Sequence, residues 1–109
     1  MRVFAALACG SSVALAAYAS HGAQGQAQQR LVIATLFAFS HGLALLALPA
    51  RTGVMTLTAR VAFVVGILLF SGSLVMAAFF GMPTLLAPAG GSLLILGWCL
   101  LAMDYLRQP

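Results

Sequence analysis

Four apolar stretches, each close to the length of a bilayer crossing, constrain this chain more than any other feature. They run over about 3–20, 31–50, 61–80 and 92–106. A helix rises about 1.5 Å per residue, so roughly 20 residues traverse a hydrocarbon core of about 30 Å. Three of the stretches reach that length. The fourth is shorter, but the apolar residues 85–91 ahead of it can extend it. None alternates between apolar and polar residues as a half-buried strand does. Only a helix satisfies every backbone group within one such segment, so all four are expected to be helical.

The charge content points the same way. The chain is 63% hydrophobic and 6% charged, against about a quarter charged in soluble domains. Its one acid is Asp104, and its five basic residues are Arg2, Arg30, Arg51, Arg60 and Arg107. No water-soluble surface can be built from so little charge, so lipid is the expected solvent. The net charge of +4 does not indicate nucleic acid. The arginines form no basic run and sit at the ends of the apolar stretches.

The linkers are short. Residues 21–30 are rich in Gln and Gly, 51–60 carry Thr52, Gly53, Thr56 and Thr58, and 81–91 hold Pro83, Pro88, Gly90 and Gly91. Short linkers force consecutive helices to run antiparallel. The expected fold is all-α: one domain over 1–109, an antiparallel bundle of four transmembrane helices. Four spans put both termini on one side, together with the linker 51–60. That side carries Arg2, Arg51, Arg60 and Arg107, and the other only Arg30. Positive residues favour the cytoplasm, so both termini are expected inside. A rival reading takes 1–19 as a secretory signal ending in Ala17-Tyr18-Ala19. The single arginine ahead of the apolar run and the short polar linker after it speak against that reading.

Few side chains could carry chemistry. His41 lies inside the second stretch as Ser40-His41-Gly42, and ionisable groups at membrane depth are functional candidates by default. Counted from Arg51 and Arg60, both His41 and Ser71 lie about 15 Å from the inner boundary. Ser71 and Ser73 thus offer hydroxyl partners, and Gly72 between them would allow a close helix approach. The expectation is a hydrogen bond from His41 to this Ser-Gly-Ser patch. It reads first as interhelical glue and second as part of a proton or solute path. His21 is read as an interfacial residue closing the first helix, with a pH-sensitive role as the alternative. Asp104 sits one turn before Arg107, which suggests an i,i+3 ion pair at the interface. Trp98 reads as packing, and Tyr18 and Tyr105 suit the two interfaces. Cys9 and Cys99 read as apolar filler. No cofactor or metal site is expected: His21 and His41 lie at different depths and no ligand cluster accompanies them. Small residues at four-residue spacing (Ala6, Gly10 and Ala14; Ser12 and Ala16; Ala38 and Gly42) suggest helix contacts.

The run Gly66-Ile67-Leu68-Leu69-Phe70-Ser71-Gly72-Ser73-Leu74, followed by Ala87-Pro88-Ala89-Gly90-Gly91 and Gly97-Trp98, resembles the YgdD-like small membrane proteins. These form the domain-of-unknown-function 423 family, which looks related to the eukaryotic transmembrane protein 256. His21-Gly22-Ala23 and His41-Gly42-Leu43-Ala44-Leu45-Leu46 fit its pattern as well. The resemblance covers nearly the whole chain, and Phe-Ser-Gly-Ser is its most specific part. Ser40 stands where the family often has Tyr, Ala87 where it often has Thr, and the linker carries no acid. The resemblance implies a bacterial cytoplasmic (inner) membrane protein with four spans, and it brings no activity.

The expected function is therefore structural or accessory, a packing partner or assembly factor whose partners are the lipid bilayer, further copies of itself or other membrane proteins. The alternative is a subunit of a small transporter or channel, with His41, Ser71 and Ser73 along a polar path. An enzyme is the weakest reading, because two histidines and one acid leave little to assemble a site from.

Overall fold

The structure is a computed structural model that describes residues 1–49 and 53–107. It contains four helices, α1 (Arg2–His21), α2 (Gly25–Ala47), α3 (Val54–Phe80) and α4 (Ala87–Leu106). All four are long and apolar enough to cross a membrane, as the four stretches predict. The chain is a multi-pass membrane protein. Arg51 lies outside the described residues.

Three helices start well before their apolar stretches do. α2 begins at Gly25 and α3 at Val54, so most of both linkers is helix. Glutamine and arginine are good helix formers and carry α2 out of the hydrocarbon. Gln28 also donates to the Ala19 carbonyl at 2.9 Å, filling one of the acceptors that the end of α1 leaves open. In α3, Thr58 turns its hydroxyl onto the Val54 carbonyl at 2.7 Å, and Thr56 finds an acceptor on α4. Thr56 and Thr58, which mark a linker in the sequence, thus have helical partners. α4 starts at Ala87 with Pro88 in its first turn, where a missing N–H costs nothing. α3 stops at Gly81, whose φ of 67° is the left-handed conformation that favours glycine.

Packing follows chain order, α1 on α2, α2 on α3 and α3 on α4. α1 and α4 form the edges of a bundle measuring 49 × 25 × 18 Å. The seams step by seven residues, the spacing of coiled-coil contacts. α1 buries Ala5, Ser12 and Ala19. α4 buries Ala87, Gly90, Leu94, Gly97 and Leu101. Across α3 and α4, Thr56 meets Asp104, Phe63 meets Gly97, and Phe70 meets Gly90. Small residues dominate because lipid is as apolar as leucine, so closeness of approach decides which faces turn inward.

That criterion sorts the small-residue pairs. Ala38 and Gly42 are buried, and a Cβ on Gly42 would meet Cys9 Sγ and the Ala5 carbonyl of α1. Ala6, Gly10, Ala14 and Ala16 are exposed instead, and a Cβ on Gly10 would meet nothing. α1 has one narrow contact face, and the register of Ala5, Ser12 and Ala19 occupies it.

Candidate functional site

His41 is 5% exposed and joins three helices. Its Nδ1 lies 2.7 Å from the Phe37 carbonyl one turn back on α2. Its Nε2 lies 2.9 Å from the indole Nε1 of Trp98 on α4. A carbonyl only accepts and an indole N–H only donates. One arrangement satisfies both: Nδ1 carries the proton and donates to Phe37, and Nε2 is bare and accepts from Trp98. The site therefore selects a single neutral tautomer. Ser40 Oγ lies 3.3 Å from the same Nδ1 and donates to the same carbonyl at 3.2 Å.

An aromatic box surrounds the imidazole. Phe37 stacks on it at 5.9 Å and 14°. Phe63 of α3 stands edge-on at 5.3 Å, and the Trp98 ring is 5.7 Å away. Phe37 in turn touches Phe70 at 4.9 Å, and Phe63 touches Trp98 at 4.9 Å. Each such ring pair contributes about 1 kcal/mol beyond its burial. A hydrogen bond between membrane helices adds about as much. Trp98 is half exposed at the bundle surface, with its N–H turned inward.

The expected bond from His41 to the Ser71-Gly72-Ser73 patch is not formed. Ser71 is buried and does reach α2, but it donates to the Ala34 carbonyl at 2.8 Å, about two turns along α2 from His41. Ser73 is half-buried and lines a cleft with Met76 and Met82. A Cβ on Gly72 would meet nothing within 4 Å, so Gly72 does not mediate the contact. The displacement has a simple origin. Depth counted from the arginines assumes that the helices end at about 50 and restart at about 61. They end at Ala47 and restart at Val54, which slides α3 along α2 and brings Phe63, rather than Ser71, opposite His41.

The remaining candidates lie apart from this site. His21 is the exposed last residue of α1. Asp104 accepts a hydrogen bond from Thr56 at 3.0 Å, and Arg107 directs Nη1 at Met55 Sδ at 3.7 Å. Both side chains thus reach across to α3. Cys9 directs its thiol at the Phe39 carbonyl at 3.7 Å, tying α1 to α2. Among the described residues, no group of three His, Cys, Asp or Glu is placed to hold a metal.

Trp98 was legible as packing but not as the partner of His41. The usable signal was its indole N–H, which in hydrocarbon needs an acceptor, and few side-chain acceptors other than the histidine lie at depth in the chain. A cleft of about 360 Å³ opens between α1 and α3 over α2, with Ser12, Thr35 and Ser71 in its wall. These three hydroxyls are turned onto the carbonyls of Ala8, Val32 and Ala34.

No solved structure matches the chain. A family model matches residues 15–91, from the second half of α1 to the start of α4. The match takes in His21, His41, Ser71 and Ser73 and stops short of Trp98 and Asp104. With most of the chain covered, including both central helices, the chain belongs to the family described as Protein of unknown function (DUF423).

Proposed function

We propose that this chain is a structural or accessory component of the bacterial cytoplasmic membrane, a non-enzymatic packing unit for lipid and for other membrane proteins or further copies of itself. Both termini face the cytoplasm. The observation that carries the reading is the state of His41. Both ring nitrogens are engaged by groups of the protein, Phe37 within α2 and Trp98 across on α4, so a proton taken up at Nε2 would break the bond between the helices. The hydroxyls of Ser12, Thr35 and Ser71 in the cleft between α1 and α3 support the same reading, because they are turned onto backbone carbonyls. The orientation is supported by charge. Arg2, Arg60 and Arg107 lie at the end where α1 and α3 start and α2 and α4 stop, while Arg30 lies at the other. Positive residues favour the cytoplasmic side.

The test is solid-state NMR of nitrogen-labelled histidine in bilayers. The packing reading expects a neutral Nδ1–H tautomer at neutral pH and slow deuterium exchange at that proton. A mixture of tautomers, or exchange as fast as that of an exposed histidine, would mean that water reaches the middle of the bundle. The path reading would then replace this one.

A further inference from the structure

The charge balance of the chain leaves arginines in search of anions. Five arginines face one acid, a formal net charge of +4. The side chains thus carry a surplus of positive charge. Among the described residues, two of the arginines line one cleft. Where α1 and α3 begin and α2 ends, a space of about 350 Å³ lies between Met1, Arg2 and Arg60, walled by Leu45, Leu48 and Leu57. Asp104 does not line it. Arg60 donates one N–H to the Pro49 carbonyl, which holds the guanidinium beside the cleft while engaging one of its five donors.

Paired guanidiniums suit a phosphate, whose oxygens accept in the fork geometry that arginine presents. Leu57 adds a second requirement, because it is half exposed and a free phosphate would leave it uncovered. We propose that this cleft binds an anionic phospholipid, with Arg2 and Arg60 on the headgroup phosphate and Leu57 against the start of an acyl chain. Among the described residues the opposite end of the bundle offers Arg30 alone, so the preference is confined to one leaflet.

The measurement is native mass spectrometry of the full chain in detergent with equal phosphatidylglycerol and phosphatidylcholine. It reads the ratio of the two singly lipid-bound species. Phosphatidylglycerol is expected to dominate in the wild type. Arg2→Gln and Arg60→Gln should each lower the ratio roughly fivefold, and Arg30→Gln should leave it unchanged. Because Arg60 also holds the Pro49 carbonyl, Arg60→Lys is the matching control. It keeps the charge and should keep most of the preference. Arg2 is exposed, so its variant carries the test alone if Arg60→Gln does not fold. Equal binding of the two lipids by the wild type would overturn the proposal, as would an undiminished preference in Arg2→Gln. Loss of the preference on adding inorganic phosphate at constant ionic strength would also overturn it, since the site would then take the free anion rather than the lipid.

Discussion

The seam between α3 and α4 and the seam between α1 and α2 use the same small residues to different depth. At the first, a Cβ on Gly90 would fall within the backbone of Phe70, 2.8 Å from its Cα. Gly66 and Gly97 of the same seam lie against Leu94 and Phe63. At the second, the closest approach is at Gly42, where a Cβ would lie 2.8 Å from Cys9 Sγ and 3.1 Å from the Ala5 carbonyl. There the first obstacle is the end of a short side chain. α1 buries nothing larger than Ser12, and its larger residues Val3, Leu7 and Val13 are exposed. Hydrophobicity does not separate the two seams, since all four helices are apolar. What separates them is how closely backbone approaches backbone, which in hydrocarbon is what small residues at an interface allow.

The sharpest way to break this comparison is Gly90→Ala. No side-chain rotation relieves a clash with the Phe70 backbone, so the variant should lose about 3 kcal/mol in a reversible unfolding measurement in mixed micelles. Wild-type stability would mean that α3 and α4 are not in backbone contact. Next is Trp98→Phe, which keeps a ring in the box and removes the N–H that His41 accepts. A buried acceptor left bare should cost roughly 1.5 kcal/mol, and the Nε2 nitrogen resonance should move as its hydrogen bond disappears. An unmoved resonance would remove the bond between α4 and α2. Gly42→Ala should cost about 1 kcal/mol, because Cys9 can rotate away. Pairing it with Cys9→Ala should recover most of that loss, and a loss as large as that of Gly90→Ala would erase the distinction between the seams. The smallest effect is expected at Gly72, where nothing lies within 4 Å of a new Cβ. Gly72→Ala should leave stability unchanged or raise it by up to about 1 kcal/mol through helix propensity. A clear loss there would show that the open side of α3 is packed after all.

Much of the site was legible in the residues. A histidine inside an apolar stretch had to turn inward and find partners, and His41 does. Ser71 was expected to meet His41, and it reaches α2 at the Ala34 carbonyl instead. The pairing between them was not legible. It rested on a count from Arg51 and Arg60, and an α2 that stops at Ala47 and an α3 that already starts at Val54 shift that count by about two turns. The choice among glycines was equally closed to the sequence. Gly72 and Gly90 both stand among small residues, yet only Gly90 is pressed against another backbone.

Four crossings, their antiparallel order and the gathering of arginines at one end were determined by the sequence alone. Each depends on a local sum, of apolar length or of charge near a segment end, and a local sum needs no knowledge of what lies opposite. The tertiary structure decided which neighbour faces which: Trp98 rather than Ser71 for His41, and Ala5, Ser12 and Ala19 rather than Ala6, Gly10 and Ala14 for α2. The physical reason is the solvent. In water a helix shows its buried face as an apolar stripe. In lipid every face is apolar, so the inner one is chosen by closeness of fit and by hydrogen-bond partners, and both exist only once the helices have met.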